Sequence, residues 1–207
     1  MPLKLYGVLR SRATRPVWTA MELGLDFEHV PVIQAYRLKD PAAPDAPLNT
    51  ASPAFRAVNP NGLVPSMDDD GFVLHESLAI GLYLARKHGG PLAPRDAKEE
   101  GLTVMWSLWG MGIEADALAI IQKRDSEAAA RLRAPFAVLD AALAESGGHL
   151  VGGRFTVADI NLAEVLRYAQ PAASLFEGAP HVQAWITACQ ARPAFQAMMR
   201  KREAEPA

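Results

Sequence analysis

The sequence NPNGLVPSMDDDGFVLHESLAIGLYLARK, from Asn59 to Lys87, predicts two short strands followed by a helix. The apolar runs 63–67 and 72–75 read as strands, and the Asp70-Gly71 pair between them is typical of a hairpin turn. Helical spacing begins at Ser77 and continues to Lys87. The stretch therefore places an extended backbone segment, containing Val64-Pro65, beside the N-terminus of a helix.

The residues before this stretch predict a β-α-β unit. Residues 3–8 and 27–33 are β-prone, and residues 11–23 between them have helical spacing. The segment from 34 to 58 is rich in Pro, Ala and Asp, and we expect a loop with a short helix at 51–58. Together with the hairpin, this order predicts a four-stranded mixed sheet covered by helices.

The residues after Lys87 predict a separate helical domain. A Gly- and Pro-rich linker at 88–95 is followed by four helical patterns and no convincing strand. The patterns cover residues 96–123, 126–146, 156–169 and 180–202. The sequence thus predicts an α/β domain at 1–87 and an all-α domain at 96–207.

The composition narrows the function classes. The 207 residues contain 21 Lys and Arg and 23 Asp and Glu, so the positive and negative charges nearly balance. Without an excess of positive charge, the composition does not favour binding to nucleic acid or to an anionic membrane. Cys189 is the only cysteine, which excludes an intrachain disulfide, and it lies in an apolar helical pattern. No secretory signal or bilayer-length apolar run stands out. The five His residues match no metal motif. We expect a cytoplasmic protein without a metal.

Glu76-Ser77 and Val64-Pro65 suggest a site for a small peptide. Ser77 is a typical N-cap, but a hydroxyl and free N–H groups at a helix start also bind a carboxylate. Glu76 would pair with an ammonium, so the two residues would hold an α-amino acid. The backbone of Val64 would pair with an extended peptide as an added strand.

Ser11 is the candidate for chemistry. It follows the first strand and precedes the first helix, where it would either cap that helix, in competition with Thr14, or donate to a thiolate. Lowering a thiol pKa of about 8.5 by two units takes about 2.7 kcal/mol. A hydrogen bond to a charged group supplies about 1.5–3 kcal/mol and a helix N-terminus about 0.3–1.

A Met and Trp stripe marks the start of the helical domain. Met105, Trp106, Trp109 and Ile113 recur at helical spacing, with Gly110 and Gly112 among them. Such a stripe is usually core, yet each Gly costs roughly 1 kcal/mol inside a helix. The glycines therefore indicate close backbone approach or a kink, and one face could line an apolar pocket.

These motifs together resemble those of the cytosolic glutathione transferases. Asn59-Pro60-x-Gly62-x-Val64-Pro65 and Leu74-x-Glu76-Ser77-x-Ala79-Ile80 are similar to the glutathione-binding half of that family. Gly153-x-x-Thr156-x-Ala158-Asp159 resembles its capping box in the helical domain. Ser11 stands where the serine-type, theta-like members keep their thiolate-stabilising serine, and the chain resembles a bacterial member of this kind.

The resemblance implies a fold, a co-substrate and roles. The fold would be a thioredoxin-like N-terminal domain followed by an all-helical domain, in a homodimer, with glutathione as co-substrate and a small hydrophobic electrophile as second substrate. Pro65 would be cis, Val64 would pair with the cysteinyl backbone, and Glu76 and Ser77 would hold the γ-glutamyl end. Ser11 would stabilise the thiolate, with Tyr6 as the alternative.

The remaining subsites depart from the family pattern. Leu63 and the run Asn49-Thr50-Ala51 replace the polar or basic residues found in many relatives, so Arg37 and Lys39 are the candidates for the glycyl carboxylate. The predicted electrophile pocket comprises Leu9, Arg10, Met105, Trp106, Trp109 and Ile113. Two other functions stay open at this point: a non-catalytic binding protein, and a glutathione-dependent isomerase, dehalogenase or peroxidase.

Overall fold

The computed structural model describes residues 2–205, in which four strands alternate with two helices before a longer series of helices. The terminal positions 1, 206 and 207 of the predicted domain bounds lie outside this range. The strands are β1 (Leu3–Tyr6), β2 (Phe27–Val30), β3 (Ser66–Asp69) and β4 (Phe72–His75). The helices are α1 (Thr14–Glu22), α2 (Pro53–Val58), α3 (Ser77–His88), α4 (Ala97–Lys123), α5 (Ser126–Glu145), α6 (Val157–Leu166), α7 (Ala173–Glu177), α8 (Pro180–Gln190) and α9 (Pro193–Ala204).

The sheet is mixed, as predicted, with strand order β2-β1-β3-β4. β1 runs parallel to β2 and antiparallel to β3, and β4 completes a hairpin with β3. Asp70 and Gly71 both have positive φ in the hairpin turn, which is the conformation that an Asp-Gly pair favours. The fold class, a thioredoxin-like α/β part followed by helices, is confirmed.

The third strand begins later than its apolar pattern indicates. It was predicted from Leu63, but pairing with β1 and β4 starts at Ser66, so Val64-Pro65 lies before the strand. Proline has no N–H to donate to a ladder, which explains why the pairing begins one residue after Pro65. β3 is an inner strand with a partner on each side. The backbone without a strand partner is therefore in the loop before β3.

The chain forms two compact units. One comprises the residues up to Lys87 together with those from Gln196 onward, and the other is His88–Phe195. The predicted domain bounds stay a prediction, and the units differ from them at the C-terminal end. The physical reason is that Glu205 hydrogen-bonds the turn after β1.

Aspartate side chains start the two long helices of the second unit. The Asp96 carboxylate accepts from the N–H groups of Lys98 and Glu99 at the start of α4, and Asp125 accepts from Ala128 at the start of α5. Each bond satisfies N–H groups that a helix leaves without an internal acceptor. The predicted pattern 180–202 is two helices, because the chain breaks at Ala191 before Pro193.

α6 is the centre of the helical unit, since all ten of its residues are buried. A Cβ added to Gly110 of α4 would lie 3.1 Å from Leu162 Cδ1, so this glycine permits the close approach that its position predicted. Gly112 has no atom within 4 Å of such a Cβ. Cys189 is 2 % exposed and belongs to the same core.

α4 is unusually apolar for a helix on a protein surface. It is the one helix in the described range that is long and apolar enough to cross a membrane. However, Asn161 of α6 donates to the Ser107 hydroxyl of α4 inside the protein, and α4 packs on α5 and α6. These contacts place one face of α4 in the core of the helical unit.

Candidate active site

The turn after β1 lies against the loop that contains Val64. Gly7 follows β1 with φ of +128°, and a Cβ at this position would come within 3.0 Å of Val64 Cβ and 3.1 Å of Ala13 Cβ. Only glycine combines this backbone conformation with such close neighbours. The sequence therefore brings the turn at residues 7–13, here the Ser11 turn, into contact with the loop at residues 59–65, here the Val64 loop. The contact lies at one end of the sheet.

Ser11 is half-buried and its hydroxyl is engaged within the turn. Oγ donates to the Val8 carbonyl at 2.6 Å and accepts from the Ala13 N–H at 3.1 Å. α1 begins only at Thr14, and its N-cap residue, Ala13, has no side-chain cap. Neither Ser11 nor Thr14 is therefore the N-cap that the sequence offered as the structural alternative.

The Val64-Pro65 peptide bond is cis, as the resemblance implies. Asn59, which is 1 % exposed, holds this loop: its Nδ2 donates to the Leu63 carbonyl at 2.8 Å and to Ser66 Oγ at 3.0 Å. Gly62 has no room for a side chain, because a Cβ would lie 2.7 Å from the Thr50 carbonyl. The Asn-Pro-x-Gly-x-Val-Pro motif thus acts as a rigid support for Val64.

Ser77 is the first residue of α3 and is tied to α1. Its hydroxyl accepts from Arg15 Nη1 at 2.9 Å, and both residues are buried, Arg15 to 1 % exposure. A guanidinium at this depth adds positive charge to a helix start that already favours anions. The start of α3 therefore favours an anion.

Glu76, immediately before α3, is exposed and adopts a left-handed backbone conformation with φ of +69°. This conformation costs an L-residue with a Cβ about 1–2 kcal/mol, and it is common for Gly and for some Asn and Asp. Residues held in such conformations concentrate at functional sites. Glu76 is therefore a candidate functional residue.

The candidates for the glycyl carboxylate have different surroundings. Arg37 is exposed, and its Nη2 donates to the Arg10 carbonyl at 2.8 Å, whereas Lys39 is exposed beyond it on the same loop. Asn49 is fully buried and donates to the carbonyls of Pro41 and Pro47. Thr50 accepts from the Ala35 N–H, so residues 49 and 50 serve the loop itself.

Tyr6 has the properties of a packing residue. Its ring lies 6.2 Å from that of Phe55, and burial raises the pKa of its phenol above the ordinary value. The Tyr6 ring thus contacts α2, the helix that carries Phe55.

Half of the predicted electrophile pocket belongs to the core. Leu9, Trp106 and Ile113 are 1 %, 7 % and 8 % exposed. Trp106 and Ile113 share the face of α4 that also carries Gly110, which meets α6. The accessible members are Arg10, Trp109 and Met105, of which Met105 is 46 % exposed.

Sequence reasoning missed two residues that shape the site. Arg15 falls three residues before Trp18, on the predicted apolar face of the first helix, and a charge at such a position signals a buried partner. Asn59 belongs to the sequence motif, but the motif alone does not indicate that its side chain holds the loop that contains Val64. Among residues 2–205, no three His, Cys, Asp or Glu side chains are close enough to hold a metal.

Comparisons with known proteins identify relatives along nearly the whole chain. A family model for the glutathione S-transferase N-terminal domain matches residues 5–92, and one for the C-terminal domain matches residues 111–193. The chain is 34 % identical to glutathione S-transferase 3 of Zea mays, over 94 % of this chain and 92 % of the relative.

Two solved structures extend this similarity to the fold. A theta class glutathione S-transferase of Xanthomonas axonopodis pv. citri with glutathione bound is 30 % identical, with a TM-score of 0.72 over 95 % of this chain and 97 % of that one. Glutathione S-transferase I from maize, in complex with an atrazine glutathione conjugate, is 26 % identical with a TM-score of 0.81, over the full length of both chains.

Proposed function

Because the chain belongs to the glutathione S-transferase family and is a glutathione S-transferase, we propose that it conjugates glutathione to small apolar electrophiles through a thiolate stabilised by Ser11. Glutathione is its co-substrate. The observation that carries the assignment of roles is the contact among the Ser11 turn, the Val64 loop and, through Arg15, the start of α3.

Glu76 and Ser77 are proposed to hold the γ-glutamyl end. The ammonium of this end would pair with the Glu76 carboxylate, and its carboxylate would lie at the N-terminus of α3. Arg15 supports this assignment, since it orients the Ser77 hydroxyl as an acceptor and leaves its proton for a bound carboxylate.

Val64 is proposed to pair with the cysteinyl backbone. Its position before the first paired residue of β3 supports this role, because an extended peptide can be added alongside a backbone segment outside the ladder. For the glycyl carboxylate we propose Arg37 and Lys39, which supply exposed positive charge on the loop after β2. Met105 and Trp109 are proposed to supply apolar surface to the electrophile.

The Ser11 hydroxyl has a single proton, so stabilising a thiolate requires an exchange of partners. The proton now bonded to the Val8 carbonyl would turn toward sulfur, while Oγ continues to accept from Ala13. A hydrogen bond to a charged group contributes about 1.5–3 kcal/mol and a neutral one about 0.5–1.5. The net gain of about 1 kcal/mol would lower the thiol pKa by about one unit.

Replacing Glu76 with glycine separates binding from stability. Glycine adopts the left-handed conformation without strain, so the free energy of unfolding is expected to stay equal or to rise by up to about 1 kcal/mol. Glutathione affinity, measured by calorimetric titration, is expected to fall about 10- to 100-fold, because a charge-assisted bond is lost.

Two controls make this test specific. Glu76→Gln keeps the side-chain shape and removes only the charge, so it is expected to weaken binding without the gain in stability. Glu127→Gln, in the first turn of α5, is the matched carboxylate of the helical unit and should leave glutathione binding unchanged. Equal affinity of the Glu76→Gly variant and the unaltered protein would contradict the γ-glutamyl assignment.

We also propose that the enzyme is a cytoplasmic homodimer. Val104, Leu108 and Met111 recur at i, i+4 and i+7 and so lie on one exposed face of α4, where each is at least 39 % exposed. A row of large exposed apolar side chains on one helix is typical of an interaction surface. Sedimentation is expected to give twice the mass of one chain, and a monomer at micromolar concentration would contradict the proposal.

A further inference from the structure

Glu205 is bonded to the turn that carries Ser11, although 195 residues separate it from Arg10. Its Oε2 accepts from the Leu9 N–H at 2.7 Å and from the Arg10 N–H at 3.3 Å. Arg10 Nη2 in turn donates to the main-chain carbonyl of Glu205 at 3.3 Å. All three residues belong to the first compact unit.

The next peptide unit, between Arg10 and Ser11, is held by a positive charge. Arg37 Nη2 donates to the Arg10 carbonyl at 2.8 Å. The turn is neither helix nor strand, so these two side chains, of opposite charge and from distant parts of the chain, fix its position. Ser11 is the next residue, and its hydroxyl is bonded to the Val8 carbonyl and the Ala13 N–H, both within the turn.

The contact of Glu205 is too buried to be an incidental surface bond. The Leu9 side chain is 1 % exposed, and the second carboxylate oxygen, Oε1, is inaccessible to solvent with no hydrogen-bond partner in the described part of the chain. Removing a carboxylate oxygen from water is costly. The bonds from the Leu9 and Arg10 N–H groups are charge-assisted, which makes them stronger than neutral ones and offsets part of this cost.

We infer that Glu205 is a positioning residue for the reaction. Its carboxylate holds the N–H groups of Leu9 and Arg10 and thereby sets where the Ser11 hydroxyl stands relative to the thiol of glutathione. This inference rests on the proposed function of Ser11. Glu205 acts through the turn and touches neither substrate in this role.

The test compares Glu205→Ala, Glu205→Gln and Ser11→Ala with the double variant. Glu205→Ala is expected to raise the apparent pKa of the bound thiol, followed by thiolate absorbance, and to lower kcat about tenfold near pH 6.5, with KM for glutathione changed less than twofold. Glu205→Gln retains an acceptor oxygen and should restore most of the activity. The double variant should be no slower than Ser11→Ala, since Glu205 acts through Ser11.

A second measurement needs no ligand. Amide hydrogen exchange at Leu9 and Arg10 should be slow in the unaltered protein and at least tenfold faster in Glu205→Ala. Glu203→Ala, an exposed residue near the end of α9, is the matched control and should change nothing. Unchanged exchange in Glu205→Ala, or losses that add to those of Ser11→Ala, would overturn the inference. If the unaltered protein fails to bind glutathione in calorimetry, the proposed function falls instead, and the exchange data still decide whether Glu205 holds the turn.

Discussion

Replacing Asp159 with alanine is expected to destabilise the protein by at least about 4 kcal/mol, a large share of the total stability of a typical domain. The carboxylate is fully buried and accepts four hydrogen bonds. Oδ2 accepts from the Thr156 N–H and hydroxyl at 2.8 and 3.0 Å, and Oδ1 accepts from Leu150 N–H and Trp185 Nε1 at 3.1 and 2.9 Å. Alanine would leave all four donors buried without an acceptor, at about 1–3 kcal/mol each before relaxation.

The two bonds to Thr156 are local, whereas the other two join separate elements. Through Asp159, the start of α6 is connected to the chain before it at Leu150 and to α8 at Trp185. The Thr156-x-x-Asp159 motif is therefore more than the capping box that its sequence predicts. It is the polar centre of a core in which every residue of α6 is buried.

Matched variants distinguish this role from ordinary capping. Asp125→Ala removes a cap that accepts from the Ala128 N–H, and it should cost about 0.5–2 kcal/mol. Trp185→Phe removes one donor and should cost less than Asp159→Ala. Denaturant unfolding, followed by circular dichroism, measures the stability of all three variants. A loss of less than about 1 kcal/mol of unfolding free energy for Asp159→Ala would refute the role of Asp159 as the polar centre of this core.

Local patterns were sufficient to predict most of the secondary structure and the order of the site motifs. The Asp70-Gly71 turn, the start of α3 at Ser77 and the helices capped by Asp96 and Asp125 all depend on chemistry within a few residues. The strand start was misplaced because the apolar run Leu63-Val64 outweighed the missing N–H of Pro65. The pattern at 180–202 predicted one helix instead of two, because the apolar spacing continues across the break at Ala191.

Contacts between distant segments could not be predicted in this way. Arg15 meets Ser77 across 62 residues and Glu205 meets Leu9 across 196, and neither pair has a local signature. The buried members of the predicted pocket show a related limit. A Trp at position 106 suits an apolar pocket and a core equally well, and only the packing of α4 against α6 decides between them.

Replacing Ser11 with alanine is expected to raise the pKa of enzyme-bound glutathione by about one unit and to reduce kcat about tenfold below that pKa. The hydroxyl stabilises only the thiolate, so its removal favours the thiol and shifts ionisation to higher pH. The two enzymes should therefore converge as the pH rises above both pKa values, where each bound thiol is ionised. Calorimetric affinity for glutathione should change little, because the γ-glutamyl and cysteinyl contacts remain.

Tyr6→Phe is the control that decides between the two candidate hydroxyls. Tyr6 packs on Phe55, so the loss of its hydroxyl should leave the pH–rate profile of the enzyme in place. A shifted profile in Tyr6→Phe with an unshifted one in Ser11→Ala would reverse the assignment. A rate deficit of Ser11→Ala that persists unchanged at high pH would show that the hydroxyl acts by another route than the ionisation of the thiol, since only an effect on thiol ionisation disappears once both enzymes carry thiolate.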